Sequence, residues 1–211
     1  MTIRTSAIVL NQLRYSDSSL IVDLYTDSMG RQTVFVKGAF SKKSRTRSAL
    51  FQPLHLLETD LYHRANRQMQ RISNVQVIYP FQTIHYNPVK GCIALFIAEI
   101  LYKTLKEEEP NREMFNFLFH SIQTLDLNEN GTANFHLAFL VHFSRYLGFY
   151  LKYQKLLPQL SEISFDNLAG LALNHHQRNT LTEHLLGYYA RYIDSFGQLK
   201  SFSILQNVFQ D

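Results

Sequence analysis

The sequence predicts an α+β protein of two domains, a small N-terminal β-barrel followed by an α-helical domain. Three observations lead there. Residues 1–80 hold five short stretches rich in β-branched and aliphatic residues, separated by turn and loop chemistry. After Pro80 the apolar residues recur at helical spacing instead. Charge divides at the same place: the first eighty residues carry eleven Lys and Arg against five Asp and Glu, net +6, and the remainder is −2. The boundaries are therefore 1–80 and 81–211.

Ile3 to Leu13 and Leu20 to Thr26 have strand composition, and Asp27-Ser-Met-Gly30 is a turn in which Gly30 can take positive φ. Gln32 to Lys37 resumes the sheet. Lys37 to Arg47 alternates in nothing and reads as a loop. Leu54 to Tyr62 and Met69 to Tyr79 supply two further strands. Five short strands suggest a closed barrel, because closure removes exposed sheet edges. A five-stranded barrel of this length has the size of an oligonucleotide-binding (OB) fold.

Asn87-Pro88 starts the first helix, with an Asn cap and Pro where a missing N–H costs nothing. From Val89 to Lys106 apolar residues fall on most sides, as in a largely buried helix. Glu107-Glu-Glu-Pro110 ends it, an acidic run at the helix end where the dipole disfavours it. A second helix is expected over Arg112–Leu127, a third over about Ala133–Leu147, a fourth over Gln177–Phe196 and a short last one from Ser201.

Several function classes drop out. The single cysteine, Cys92, excludes an intramolecular disulfide and any cysteine metal cluster, and its apolar helix makes it a core residue. No apolar run approaches the ~20 residues a bilayer requires, and the N-terminus lacks the apolar stretch of a secretory signal. The expected compartment is the cytoplasm. Phosphate-loop, dinucleotide and hydrolase-elbow motifs are missing. Among nine histidines, His136 and His142 fall on opposite helix faces, and His175, His176 and His184 align poorly. Asp17, Asp23 and Asp27 could at best pair, so a Mg²⁺-dependent nuclease has little to stand on. No enzyme and no cofactor is expected.

What remains is charge. Between Lys37 and Arg47 five cations, Lys37, Lys42, Lys43, Arg45 and Arg47, stand without an acid. Such an asymmetry points to an acidic partner, most often nucleic acid. The competing reading is a solvated loop whose charges only maintain solubility.

Ala7-Ile-Val-Leu10, Tyr15 to Thr26, Gly30, Val36-Lys-Gly-Ala39 with its basic tail, and Phe51-Gln-Pro-Leu54 together resemble the DNA repair protein RecO family. The likeness continues in Glu99-Ile-Leu101, the Glu109-Pro110 turn, Phe143 to Phe149 and Leu199-Lys-Ser201. Many members of that family carry a four-cysteine zinc insert in the region equivalent to Leu151–Leu173. This sequence has no cysteine there, so it resembles the zinc-free subgroup. Ser16-Asp17 replaces the family's usual Gly-Glu.

The resemblance implies an N-terminal OB domain, an α-helical domain and a recombination mediator. Such a mediator binds single- and double-stranded DNA and anneals complementary strands. With a RecR-type partner it helps load a RecA-type recombinase onto gaps coated by single-strand DNA-binding protein (SSB). The alternative is a non-enzymatic OB-fold RNA- or single-strand-binding module without mediator activity. Expected DNA contacts are Lys37, Lys42, Lys43, Arg45 and Arg47, with Arg67 and Arg71 in the last hairpin, Arg14 behind them, and Phe40 as a base stacker. Tyr25 and Phe35, in strands, read as core. The helical domain is expected to contact proteins, with Arg145, Phe149, Lys152 and Lys155 as a site for the SSB C-terminal tail.

Overall fold

The computed structural model describes residues 1–40, 48–65, 67–149 and 164–209. The chain forms two compact units, one of Met1–Phe81 with Ala98–His120, the other of Gln82–Ile97 with Ser121–Asp211.

In the first unit, β1 (Thr2–Arg14), β2 (Leu20–Thr26), β3 (Gly30–Val36), β4 (Leu56–Tyr62) and β5 (Gln70–Tyr79) close a barrel in the order β1-β2-β3-β5-β4. The expected fold class holds, and the barrel is of OB type. β1 pairs with β4 through Thr2–Ile8 and with β2 through Ala7–Arg14, and its register with β2 shifts between Val9 and Asn11. An extra residue there bends a strand and lets it serve two partners. Inside lie Ala7, Val9, Leu20, Val22, Leu24, Val34, Val36, Leu57 and Leu61, with Ala39 and Phe51 from the connection after β3. β3 shows the cause most plainly: its residues alternate buried and half-buried from Gly30 to Val36, the period-two signature of a strand with one face inward. Tyr25 is buried as expected; it stacks on Phe115 at 6.3 Å and donates to the Met114 sulfur at 3.5 Å. Burial pushes its phenol up to about 12.

The barrel also caps a helix within its own unit. α1 (Pro88–Thr104) leaves its last carbonyls without intrahelical donors. The Arg31 guanidinium donates to the carbonyls of Tyr102 (2.7 Å) and Leu105 (2.8 Å), and lies 4.6 Å from the Tyr102 ring centroid. The Arg31 backbone N–H donates to the Glu107 carbonyl at 2.9 Å. Asp23, which accepts from Thr33 at 2.7 Å, pairs with Arg31 at 3.3 Å. The acidic run Glu107–Glu109 is therefore offset at the helix end by a cation from β3. Gly30 makes the approach possible: at φ 59°, a Cβ there would sit 2.4 Å from the Glu109 carbonyl oxygen.

The second unit begins with a buried polar anchor. The Asp126 carboxylate, near the end of α2 (Arg112–Leu127), accepts the backbone N–H groups of Gln82, Thr83 and Ile84 at 2.8–2.9 Å. The Lys90 ammonium donates to the Thr83 hydroxyl at 2.7 Å and to the Asp126 carbonyl at 2.6 Å. Burial lowers the Lys90 pKa, against the pull of Asp126 and Glu129. Asn87 caps α1 as its sequence predicts, accepting from the Lys90 N–H at 3.2 Å.

Beyond a short 3₁₀ turn come α3 (Phe135–Tyr146), a 3₁₀ helix over Phe165–Gly170, α4 (His175–Tyr192) and α5 (Lys200–Val208). α4 starts two residues before the expected Gln177. Asn174 and Gln177 form a reciprocal capping box, at 2.9 and 3.0 Å, and Gln177 is its third residue rather than its first. Arg178 is 9% exposed and donates to Asn134 at 3.1 Å and to the Leu173 carbonyl at 2.9 Å. Next to it His136, 1% exposed, meets the Thr182 hydroxyl at 2.9 Å. Thr182 gives its one proton to the Arg178 carbonyl at 2.8 Å, so Nε2 of His136 is the donor to the Thr182 hydroxyl. Burial first, then the Arg178 charge, lowers this histidine to about 3.

Candidate nucleic-acid interface

β3 and β5 run parallel and close the barrel through only two residue pairs, Val34 with Gln70 and Phe35 with Arg71. Residues directly opposite across strands share a face. The pairings Leu13 to Ile21, Ile21 to Phe35, Phe35 to Arg71 and Arg71 to Tyr62 therefore draw one row across all five strands. The row lies outside the barrel, because Val34 and Val36 on either side of Phe35 fill the core. Leu13 is 60% and Tyr62 45% exposed, and Tyr15 stands edge-on to Phe35 at 5.8 Å. The expectation that Phe35 belongs to the core is thus corrected. Its strand neighbours point in, so it points out.

Two clefts meet at the middle of the row. One, of about 420 Å³, has Tyr62, His63, Arg64, Arg67 and Arg71 in its wall. The other, of about 290 Å³, is lined by Phe35, Val36, Lys37, Arg71, Ile72 and Val75. Arg71 and Ile72 belong to both. The buried Gln70 side chain fixes the loop between β4 and β5. It accepts from the Arg64 N–H at 2.9 Å and donates to the carbonyls of Arg64 (3.1 Å) and Arg67 (2.8 Å). The loop backbone is tied down while Arg64 and Arg67 remain exposed.

Pairing sorts the barrel's cations into two groups. Arg4 is bound to Glu58, Arg31 to Asp23, and Arg14 to Asp17 at 3.5 Å. Among the described residues, Lys37, Arg64, Arg67 and Arg71 have no carboxylate within ion-pair distance. All four line the two clefts. Asp17, Asp23 and Asp27 do not assemble: each faces a different cation, Asp27 the guanidinium of Arg112 at 4.0 Å.

Of the sequence-derived contacts, Lys37, Arg67 and Arg71 thus come together at the seam, whereas Lys42, Lys43, Arg45 and Arg47 lie outside the described residues. Phe40 is half-buried against the barrel core, with the Arg14 guanidinium 5.0 Å from its ring centroid. Tyr62 was among the aromatics available for stacking; Arg64 and Tyr15 were not anticipated. The alternation in β3 carried the signal for Phe35; nothing local in sequence announces that β3 meets β5.

In the second unit Arg145 is exposed in the last turn of α3. Phe149 is 8% exposed, stacked by Tyr192 at 5.0 Å and met edge-on by Tyr189 at 5.1 Å. The ring presented to solvent there is Tyr192, 57% exposed. Lys152 and Lys155 lie outside the described residues. Among the described residues no group of three or more His, Cys, Asp or Glu is placed to hold a metal ion, and no helix is long and apolar enough to cross a membrane.

Comparison with known proteins gives a consistent result. Residues 1–81 match the family model described as recombination protein O N terminal, and residues 85–155 match recombination protein O C terminal. A DNA repair protein RecO from Flavobacterium psychrophilum is 35% identical over 99% of this chain and all of its own length. One from Bacteroides fragilis is 37% identical over 98% of each chain. One from Porphyromonas gingivalis is 28% identical over 99% of this chain and all of its own.

Proposed function

The chain belongs to the RecO family of DNA repair proteins, and from that premise we propose that it is a non-enzymatic, cytoplasmic recombination mediator. Its barrel, residues 1–80, binds single- and double-stranded DNA and anneals complementary strands. The helical part, residues 81–211, contacts proteins: a RecR-type partner, and the SSB C-terminal tail around Arg145, Phe149, Lys152 and Lys155. Together these load a RecA-type recombinase onto SSB-coated gaps.

One observation carries the DNA reading: among the described residues, the four barrel cations without an internal carboxylate are the four that line the clefts at the barrel seam. A cation already paired inside the protein gains little from a phosphate. One without a partner releases the DNA's condensed counterions when it binds, which is the main source of sequence-independent affinity. The place overlaps the one OB folds use: the clefts are walled in part by β3 and the β4–β5 loop, which belong to the strand face and loops through which OB folds bind oligonucleotides. Lys42, Lys43, Arg45 and Arg47 follow Lys37 in the chain and extend the same charge. Phosphate contacts carry no base preference, which suits a protein that acts at any gap. Neutralising two strands at once lowers their mutual repulsion and favours pairing.

Annealing of complementary labelled oligonucleotides tests this directly. Wild type is expected to accelerate annealing, and a variant with Lys42, Lys43, Arg45 and Arg47 changed to Ala to lose most of the acceleration while remaining folded. DNA binding without annealing would reduce the protein to a plain binding module. Tighter binding of RNA than of DNA would favour the RNA-binding alternative.

A further inference from the structure

Phosphate binding leaves the apolar part of the row across the barrel unused. We infer that the two clefts on either side of Arg71 are base subsites for two successive nucleotides of a single strand, with the Arg71 guanidinium at the phosphate between them. The inference rests on the DNA-binding reading above and adds to it which part of the DNA lies where.

Three features support it. Each cleft has one aromatic ring belonging to the row, Tyr62 in one and Phe35 in the other, and they share the wall made by Arg71 and Ile72. The Tyr62 ring is 45% exposed, and its hydroxyl accepts from Ser73 at 3.1 Å, so the ring has both a free surface and a fixed position. Phe35 is supported by the edge contact with Tyr15 at 5.8 Å. Base–aromatic stacking tolerates any sequence, because every base has a π-face.

Spacing decides the kind of DNA. Phe35, Arg71 and Tyr62 sit opposite one another on β3, β5 and β4, so Phe35 and Tyr62 are two strand spacings apart, about 10 Å. Neighbouring bases stacked in a duplex are only about 3.4 Å apart and have their faces covered. The two clefts therefore accept bases that are unstacked from each other, which only a single strand offers at low cost. Duplex DNA meets the same cations through its phosphates and leaves both clefts empty of bases.

The test is fluorescence anisotropy of the full chain with three labelled probes: an oligothymidylate, a strand of equal length with abasic sites throughout, and a blunt duplex. The variants are Phe35→Leu, Tyr62→Leu and the ring-retaining Tyr62→Phe, each shown folded by thermal melting. Wild type is expected to bind the thymidylate at least roughly tenfold tighter than the abasic strand. Phe35→Leu and Tyr62→Leu should each lose roughly tenfold on the thymidylate alone, with the salt slope unchanged, and Tyr62→Phe, which keeps the ring and loses only the Ser73 contact, should lose much less than Tyr62→Leu. Equal wild-type affinity for the thymidylate and abasic strands would overturn the base subsites and leave DNA binding intact. So would leucine variants that bind thymidylate like wild type, or lose equally on all three probes. Wild type that binds none of the probes would overturn both the DNA-binding reading and the subsites.

Discussion

The barrel and the helical unit use the same cationic side chains in opposite ways. In the helical unit Lys90 and Arg178 are 3% and 9% exposed, and each donates to oxygens of its own unit. Burial lowers the pKa of both, the expected cost of taking a cation out of water. In the barrel Arg64, Arg67, Arg71 and Lys37 stay exposed around two clefts, and none has a carboxylate partner among the described residues. The difference teaches that net charge is a weak guide to a nucleic-acid surface. The informative quantity is how many cations remain after internal partners have been assigned.

If that division is right, the largest stability effects belong to the buried set. Asp126→Ala removes the acceptor of three backbone N–H groups and the carboxylate whose charge acts most strongly on Lys90. It should cost about 3–5 kcal/mol in urea unfolding, the range for leaving a buried charge and its donors without their partner. A change below about 1 kcal/mol would mean water replaces the carboxylate easily and the anchor is dispensable.

Gly30→Ala should cost on the order of 2 kcal/mol or more, from the left-handed φ of 59° and a methyl group driven into the Glu109 and Glu107 carbonyls. Thermal melting checks it. An unchanged midpoint would show that the turn between β2 and β3 can move away from residues 107–109 without penalty.

His136 gives the comparison a pH axis. Its pKa is about 3 in the fold and the ordinary value is 6.5, so the unfolded chain binds the extra proton first. The stability it contributes is complete above pH 6.5 and falls as pH drops toward 3, by up to about 1.4 kcal/mol per pH unit. His136→Gln keeps a donor for Thr182 and should flatten that acid limb, measured as unfolding free energy from pH 7 to 4. An unchanged limb would assign the acid sensitivity to other groups.

The smallest effect belongs to the exposed pair at the barrel rim. Arg14 and Asp17 meet at 3.5 Å with both side chains largely in water. Arg14→Ala should leave the melting temperature where it is, since exposed pairs contribute little. A clear drop would instead point to the contact of Arg14 with the Phe40 ring.

The sequence made the local elements legible. Leu20–Thr26 and Arg112–Leu127 appear with the expected bounds, because a β-branched run and a 3.6-residue stripe are both complete within their own windows. Asn87 was legible as a cap for the same reason. What was not legible depends on pairing at a distance. β3 and β5 meet through residues separated by a whole loop and strand, so Arg71 could be named a cation but not placed beside Phe35. Arg64 stayed in the background because no local pattern shows which cations the fold will pair internally. Phe149 could be named as an apolar residue beside cations, but no local pattern shows that α4 returns aromatic rings from forty residues away to pack on it.

The most direct test of the central claim is the salt dependence of single-strand binding in two variants. One replaces Arg64, Arg67 and Arg71 with Ala, and the other replaces Arg191, an exposed arginine of the helical unit. Each phosphate contact contributes about 0.7 to the slope of log affinity against log salt. The triple variant should therefore flatten that slope by about 2, and Arg191→Ala should leave it as in wild type. A triple variant with the wild-type slope would contradict the account, because the cations left without internal partners would then not be the ones that meet the phosphates.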